Sequence, residues 1–238
     1  RSVAKYATDR VACGEMAGRW LFGDKAFQSG QVTLINNAIQ AEKFSFSEKD
    51  RDSLRKELGW ENKTVIGHVG RFDIPKNHDR MLDIFQQIVS EKKDVMLCLV
   101  GPKEGLYKEI KEKTVQKGLE DKVYFAGKQE NIRRYLSAMD VFLVPSVFEG
   151  VPFALIEAQA NGLACVMSEA VSEEAVVFPE RVRRLSLDRD NIQWAAAVMA
   201  MSSMNREAAD LIKMRLSDAH FNIETEAKRL KDLYYHTR

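Results

Sequence analysis

Two glutamates eight residues apart, Glu149 and Glu157, flank a Gly150-Val151-Pro152 turn and the apolar run Phe153-Ala154-Leu155-Ile156. Pro152 has the fixed φ that suits the first turn of a helix, and Gly150 permits backbone conformations closed to other residues. A helix opening there leaves its first amides without intrahelical partners, and its dipole adds partial positive charge at that end. A phosphate fits such an end. Glu157, one turn in, would repel a phosphate, but its carboxylate can reach past one to accept from neutral hydroxyls. A ribose 2′,3′-diol has that geometry. A second set lies upstream in Gly70-Arg71-Phe72-Asp73-Ile74-Pro75-Lys76-Asn77. Arg71 offers a planar fork of donors for phosphate oxygens and Lys76 a movable point charge, while Gly70 is placed to end a strand and turn the chain sharply.

Both sets need strands that end at the same edge. The stretches 64–69, 95–100, 123–126 and 141–144, and a further buried stretch ending at Met167, read as strands, and 95–100 is apolar nearly throughout, as a strand covered on both faces is. Between them, helical spacing predicts helices over 77–90, 106–117, 132–138 and 153–161, the last stopped by Gly162. Ser47 is placed to cap a helix over 48–58 that Gly59 ends. Such alternation predicts an α/β, doubly wound parallel sheet, and open sheets of that kind bind ligands beyond the carboxyl ends of their strands. Later on, the spacing predicts a strand over 184–187, a helix capped by Asp190, a helix over 207–216 and a last helix capped by Asn222. On amphipathic grounds the last helix would lay its Ala227, Leu230, Leu233 and Tyr234 stripe on its own domain. Residues 1–43 predict two strands, 9–13 and 32–35, and one helix, 15–22. That is too little to bury both faces of a sheet.

The stretch PSVFEGVPFALIEAQANG resembles the E-x7-E region of retaining GT-B-fold glycosyltransferases of family 4, the group 1 transferases. The resemblance extends in order through VIGHVGRFDIPKNHDRMLDIF, VMLCLVGP, KVYFAG and YLSAMDVFLVPS, and is strongest from about residue 62 to residue 175. It implies a Rossmann-like GT-B C-terminal domain over 44–238. Residues 1–43 would be the end and linker of an N-terminal domain that is otherwise missing, in keeping with a chain that begins at Arg1. It gives Arg71 and Lys76 the diphosphate of a nucleotide sugar, Glu157 the ribose and Glu149 the donor sugar, making Glu149, Arg71 and Lys76 the catalytic set. Gly70, Gly150, Val151, Pro152, Phe153, Ala154 and Leu155 complete the donor site, and the backbone of Gly127 and Lys128 resembles the family's base-contacting turn. The last helix of the resembled fold crosses back to the N-terminal domain. The activity implied is transfer with retention from a nucleoside-diphosphate sugar to a saccharide or lipid-linked acceptor held mainly by the missing domain. Bacterial capsular or exopolysaccharide synthesis is the setting, in the cytoplasm at the inner membrane face, with peripheral membrane association of the longer enzyme. Two cations and helix amides would stabilise the leaving diphosphate with no metal or other cofactor. The segment Ser168-Glu169-Ala170-Val171-Ser172-Glu173-Glu174 departs from the family by replacing its usual glycine pair before an acidic residue.

A nucleotide-sugar-binding module without transfer activity would use the same residues. A phosphorylase-like enzyme of the same fold would need a lysine-linked cofactor that no motif supports. The balance of 36 basic and 35 acidic residues gives no bulk attraction for nucleic acid. No G-x-G-x-x-G follows a strand, and no Walker A sequence or nucleophile elbow occurs. Asp50-Arg51-Asp52 and Asp188-Arg189-Asp190 match a metal-binding D-x-D and are read as solvated acids. His68, His78, His220 and His236 lack ligand spacing, with His78 read as a helix-surface residue. Cys13, Cys98 and Cys165 show no paired spacing, and no apolar run is long enough to cross a bilayer.

Overall fold

Along Val95–Val100 every residue is buried, and the side chains alternate between two separate cores. Met96, Cys98 and Val100 join one cluster while Val95, Leu97 and Leu99 join the other. That alternation follows from the two-residue period of a strand and requires helices on both faces. The computed structural model describes residues 9–236 and supplies those helices. In chain order the elements are β1 (Val11–Ala12), α1 (Glu15–Phe22), α2 (Asp24–Gln28), β2 (Thr33–Leu34), α3 (Glu48–Leu58), β3 (Thr64–Val69), α4 (His78–Glu91), β4 (Val95–Val100) and α5 (Tyr107–Gln116). Then come β5 (Val123–Gly127), α6 (Ile132–Ala138), β6 (Val141–Val144), α7 (Phe153–Ala160), β7 (Ala164–Ser168), β8 (Val182–Leu185), α8 (Asn191–Ser202), α9 (Ala209–Asp218) and α10 (Ile223–His236).

The main sheet is parallel throughout, in the order β5-β4-β3-β6-β7-β8. Counted from β3 this is the doubly wound order 3-2-1-4-5-6, so the strand order reverses between β3 and β6. That junction is pinned by Asp140, which precedes β6. Its carboxylate accepts from Arg51 at 2.6 Å, from Arg55 at 2.5 Å and from the Val65 amide of β3 at 2.8 Å. Ser47 caps α3 by accepting from Asp50 N, and Asp190 caps α8 by accepting from Gln193 N. Gly59 ends α3 at φ 66°, the left-handed turn its place in the sequence predicts.

Several expectations shift. β8 starts two residues before the predicted 184–187, α9 runs two residues later than predicted, and α2 has no counterpart in the sequence reading. Asp50 is not a solvated acid, because it accepts from Arg133 Nε at 3.0 Å. At the N-terminus, of which residues 1–8 lie outside the described residues, β1 and β2 pair in parallel and α1 turns Met16, Trp20 and Leu21 outward. The last helix does not pack on its own domain alone. Arg229 of α10 donates to Leu34 O at 3.0 Å, and the buried Glu226 accepts from Asn36 N at 3.3 Å. Ala227 and Leu230 of the predicted stripe face Val11, Ala12 and Ile35 across a cleft. Among the described residues no helix is long and apolar enough to cross a membrane.

Candidate functional site

A cleft of about 540 Å³ opens at the carboxyl ends of β3 and β6, where the strand order reverses. Open α/β sheets hold their ligands at such a point, and the volume lies in the ordinary range for small-molecule sites. Its walls come from the two loops singled out by sequence. Gly70, Arg71 and Lys76 stand on one side, and Glu149, Gly150, Val151, Pro152, Phe153, Ala154 and Glu157 on the other. The loops are stitched together by Asn77 Nδ2 donating to Pro145 O and Val147 N donating to Pro75 O, both at 2.9 Å. Asn77 holds a left-handed φ of 57°, which asparagine tolerates better than most residues.

The charged groups already hold one another. Lys76 Nζ donates to Glu149 Oε2 at 2.5 Å with both side chains largely buried, and Ser146 Oγ donates to the other carboxylate oxygen. Arg71 has a side chain 80% exposed and reaches Asp73 at 3.2 Å. Any anion that enters the cleft would therefore compete with Asp73 and Glu149 for these cations. Pro152 serves as the N-cap of α7 rather than its first residue, and the Phe153 and Ala154 amides have no hydrogen-bond partner among the described residues. Those two N–H groups, with the helix dipole behind them, form an anion-binding end. Glu157 stands one turn along α7 with no charge partner among the described residues, and burial pushes its carboxyl up to about 7.

Three expectations are corrected here, for Leu155, Gly150 and His78. Leu155 does not offer its amide, because Leu155 N donates to Pro152 O at 3.1 Å and its side chain is buried in the core. Gly150 adopts no left-handed φ, and a Cβ there would meet nothing within 4 Å. Gly70 does end β3 in a bend, as its place in the sequence predicts, and it does so without a left-handed φ. Its missing Cβ leaves room for Lys76 and for His68 Nε2, which would lie 3.1 Å and 2.8 Å from it. His78 is buried rather than on the helix surface, stacked on Phe72 at 4.5 Å and edge-on to His68 at 5.3 Å.

Burial lowers His78 to about 4. His68 falls well below the usual histidine range, first through burial and then through His78 and Lys76. His68 Nδ1 donates to Leu143 O at 2.9 Å, which leaves Nε2 as a bare lone pair beneath the loop. Both imidazoles are therefore neutral at pH 7. The side chain of His236 lies outside the described residues.

Gly127 and Lys128 do not line this cleft. Gly127 sits at the end of β5 with φ 72° and its carbonyl accepts from Gly101 N, while Lys128 is exposed. They occupy the same carboxyl edge of the sheet, two strands from β3. Ser146, Asn77 and Asp73 were missed by sequence reasoning. Only Asn77, standing where a loop becomes a helix, carried a signal that could have found it. Among the described residues no group of three or more His, Cys, Asp or Glu side chains is placed to hold a metal ion.

The family described as "Glycosyl transferases group 1" matches residues 50–214, which contain both loops of the cleft. The chain belongs to this family. A putative glycosyltransferase, EpsF of Bacillus subtilis, is 33% identical over 236 residues, covering 98% of this chain and 61% of that protein. The capsular polysaccharide biosynthesis glycosyltransferase CapH of Staphylococcus aureus is 25% identical over 96% of this chain and 60% of its own length. Anabaena HepE, crystallised with UDP and glucose, superposes with a TM-score of 0.81 at 20% identity, over 98% of this chain and 64% of that one. The likeness to HepE concerns the fold. The group 1 chain described here thus spans about three fifths of the length of these relatives.

Proposed function

We propose that this chain is the donor-binding half of a retaining glycosyltransferase of family 4. It would move a sugar from a nucleoside-diphosphate sugar to a saccharide or lipid-linked acceptor in the assembly of a bacterial surface polysaccharide. The observation that carries the reading is the gathering of Arg71, Lys76, the Phe153 and Ala154 amides, Glu149 and Glu157 around one cleft at the switch point. Donors for a diphosphate lie beside a carboxylate for a diol, in a chain of the group 1 family. The names of EpsF and CapH support glycosyl transfer, that of CapH in capsular polysaccharide biosynthesis, and the UDP and glucose held by HepE support a nucleotide-sugar donor.

When the bond from the anomeric carbon to the diphosphate breaks, its electron pair stays on the leaving oxygen. Arg71 and Lys76, drawn from Asp73 and Glu149, meet that charge together with the α7 amides. Glu149, released from Lys76, then faces the sugar. Preorganised donors of this kind act without a metal or other cofactor. The acceptor would be held mainly by sequence outside this chain, with the longer enzyme working in the cytoplasm at the inner membrane face.

Calorimetric titration with UDP in the presence of a divalent-ion chelator tests the reading. Saturable binding is expected with chelator present, and no sugar transfer by this chain alone. Failure to bind any nucleoside diphosphate overturns the donor site, binding that returns only with Mg²⁺ or Mn²⁺ overturns the metal-free account, and robust transfer by this chain alone overturns the half-enzyme.

A further inference from the structure

The N-terminus of α1 is capped from the far end of the chain. Gly14, its N-cap residue, has no side chain with which to hold the first amides. Instead the Glu15 amide donates to Glu174 Oε2 at 2.7 Å, a contact between residues 159 positions apart. A carboxylate in that position gains both a charge-assisted hydrogen bond and the field of the helix dipole. Ser172 Oγ donates to Glu174 Oε1 at 3.0 Å, which orients the carboxylate. A Cβ at residue 14 would lie 3.1 Å from Oε2, so the carboxylate sits close against the glycine.

The same short segment is hydrogen-bonded to the Glu149 loop. Ser172 N donates to Glu149 O at 2.9 Å and Glu149 N donates to Ala170 O at 3.4 Å. One residue earlier in the chain than this ladder, Glu169 N is held by Leu185 O of β8, so the segment is anchored behind its contact with the loop. Glu149 is the residue whose carboxylate holds Lys76. A continuous path therefore runs from Lys76 through Glu149, Ser172 and Glu174 to the first amide of α1. It is built from the stretch that departs from the family pattern.

We propose that Glu174 is a positioning residue that couples occupancy of the donor cleft to the docking of the N-terminal segment, a step that rests on the donor-site reading above. Phosphates that draw Lys76 away from Glu149 loosen the Glu149 carboxylate, shift the ladder to Ser172 and thereby move the carboxylate that holds α1. Coupling of this kind is reciprocal, so the docked and undocked states of α1 differ in their affinity for the nucleotide.

Amide hydrogen exchange along α1, with and without UDP, combined with calorimetry on the same protein, tests this. Without nucleotide, Glu174→Ala is expected to raise exchange at Glu15 roughly tenfold, the usual scale of a lost cap. The amides of β3 and β4 should keep their protection and so report an intact fold. In the unsubstituted chain UDP changes α1 exchange, and in Glu174→Ala it no longer does. The affinity of that variant for UDP shifts in the direction, and by no more than the factor, that reciprocity requires. A purely structural cap would leave UDP affinity untouched. Unchanged Glu15 exchange in Glu174→Ala overturns the cap. UDP that binds yet leaves α1 exchange unaltered overturns the coupling. Raised Glu15 exchange in the variant with no UDP binding overturns the donor reading and the coupling with it, and leaves the cap standing.

Discussion

Glu157 carries a conflict between stability and binding. Burial raises its carboxyl from an ordinary 4.5 to about 7, so the folded protein holds this proton more tightly than the unfolded chain does. The resulting stabilisation is complete below about pH 4.5 and is lost as pH rises through about 7. It amounts to up to about 3 kcal/mol, less whatever solvent screening removes. Glu157→Gln is expected to flatten the dependence of the urea midpoint on pH between 5 and 8 and to leave the protein more stable than the parent at pH 8. Binding runs the other way, because only the ionised carboxylate accepts charge-assisted hydrogen bonds from both ribose hydroxyls. UDP affinity of the parent should rise about tenfold from pH 6 to pH 8 beyond any change shared by Glu157→Gln, and the variant should bind about tenfold more weakly at pH 8. Calorimetry at the two pH values reads this directly, and parallel pH profiles for the two proteins would reduce Glu157 to a bystander. The 2′,3′-dideoxy nucleotide should lose affinity for the parent at pH 8 and lose little further in the variant.

At the scale of elements, the cleft depends on how closely β3 and β4 approach at their carboxyl ends. Gly101, just past β4, has no room for a side chain, because a Cβ there would lie 1.9 Å from Gly70 O. The obstacle is backbone and cannot swing aside. Gly101→Ala should therefore displace the Gly70 loop, cost about 2–3 kcal/mol in urea unfolding and weaken UDP binding together. Gly150→Ala makes the contrasting case, since its Cβ would enter open space with no left-handed backbone to lose. Its stability should stay within about 0.5 kcal/mol of the parent. If Gly101→Ala proves as mild as Gly150→Ala, the close approach of the two strand ends is not a constraint on the site.

For the whole molecule, α10 ties the N-terminal segment to the parallel-sheet unit. The Glu226 side chain is 1% exposed and accepts from Arg229 at 2.7 Å, with His220 Nδ1 at 3.0 Å and the Asn36 amide also against it. Arg229→Ala would leave that buried carboxylate with only His220 and the Asn36 amide, and because Arg229 is itself partly exposed the loss should cost about 1–3 kcal/mol. The cost should fall locally. Limited proteolysis is expected to cut faster between residues 9 and 39 in Arg229→Ala, while fragments containing β3 to β8 remain protected. Cleavage that accelerates equally throughout would mean that α10 supports the main sheet rather than the docking of the N-terminal segment.

The alternation of apolar strands with capped helices was written into the local sequence. Period, caps and turn glycines act over a few residues, which is why α1, α3, β3, β4, α6 and β6 fall where spacing places them. The membership of the cleft was legible for a related reason. A doubly wound sheet sends every strand's carboxyl end to one edge, so the Arg71 loop and the Glu149 loop had to meet near it. What each side chain does there was not legible. That Lys76 rests on Glu149, that Gly70 makes room for His68 and Lys76 as well as a turn, that His78 is buried, that Leu155 spends its amide on Pro152 and that Gly127 stands two strands away all depend on distances across the sheet. Local pattern carries no information about those distances. The same holds for Glu174 at the start of α1 and for Arg229 at Leu34, where residues far apart in the chain meet only because the packed sheet and α10 bring them together. Hydrogen bonding and burial act through space, and only the tertiary structure decides which groups are within reach.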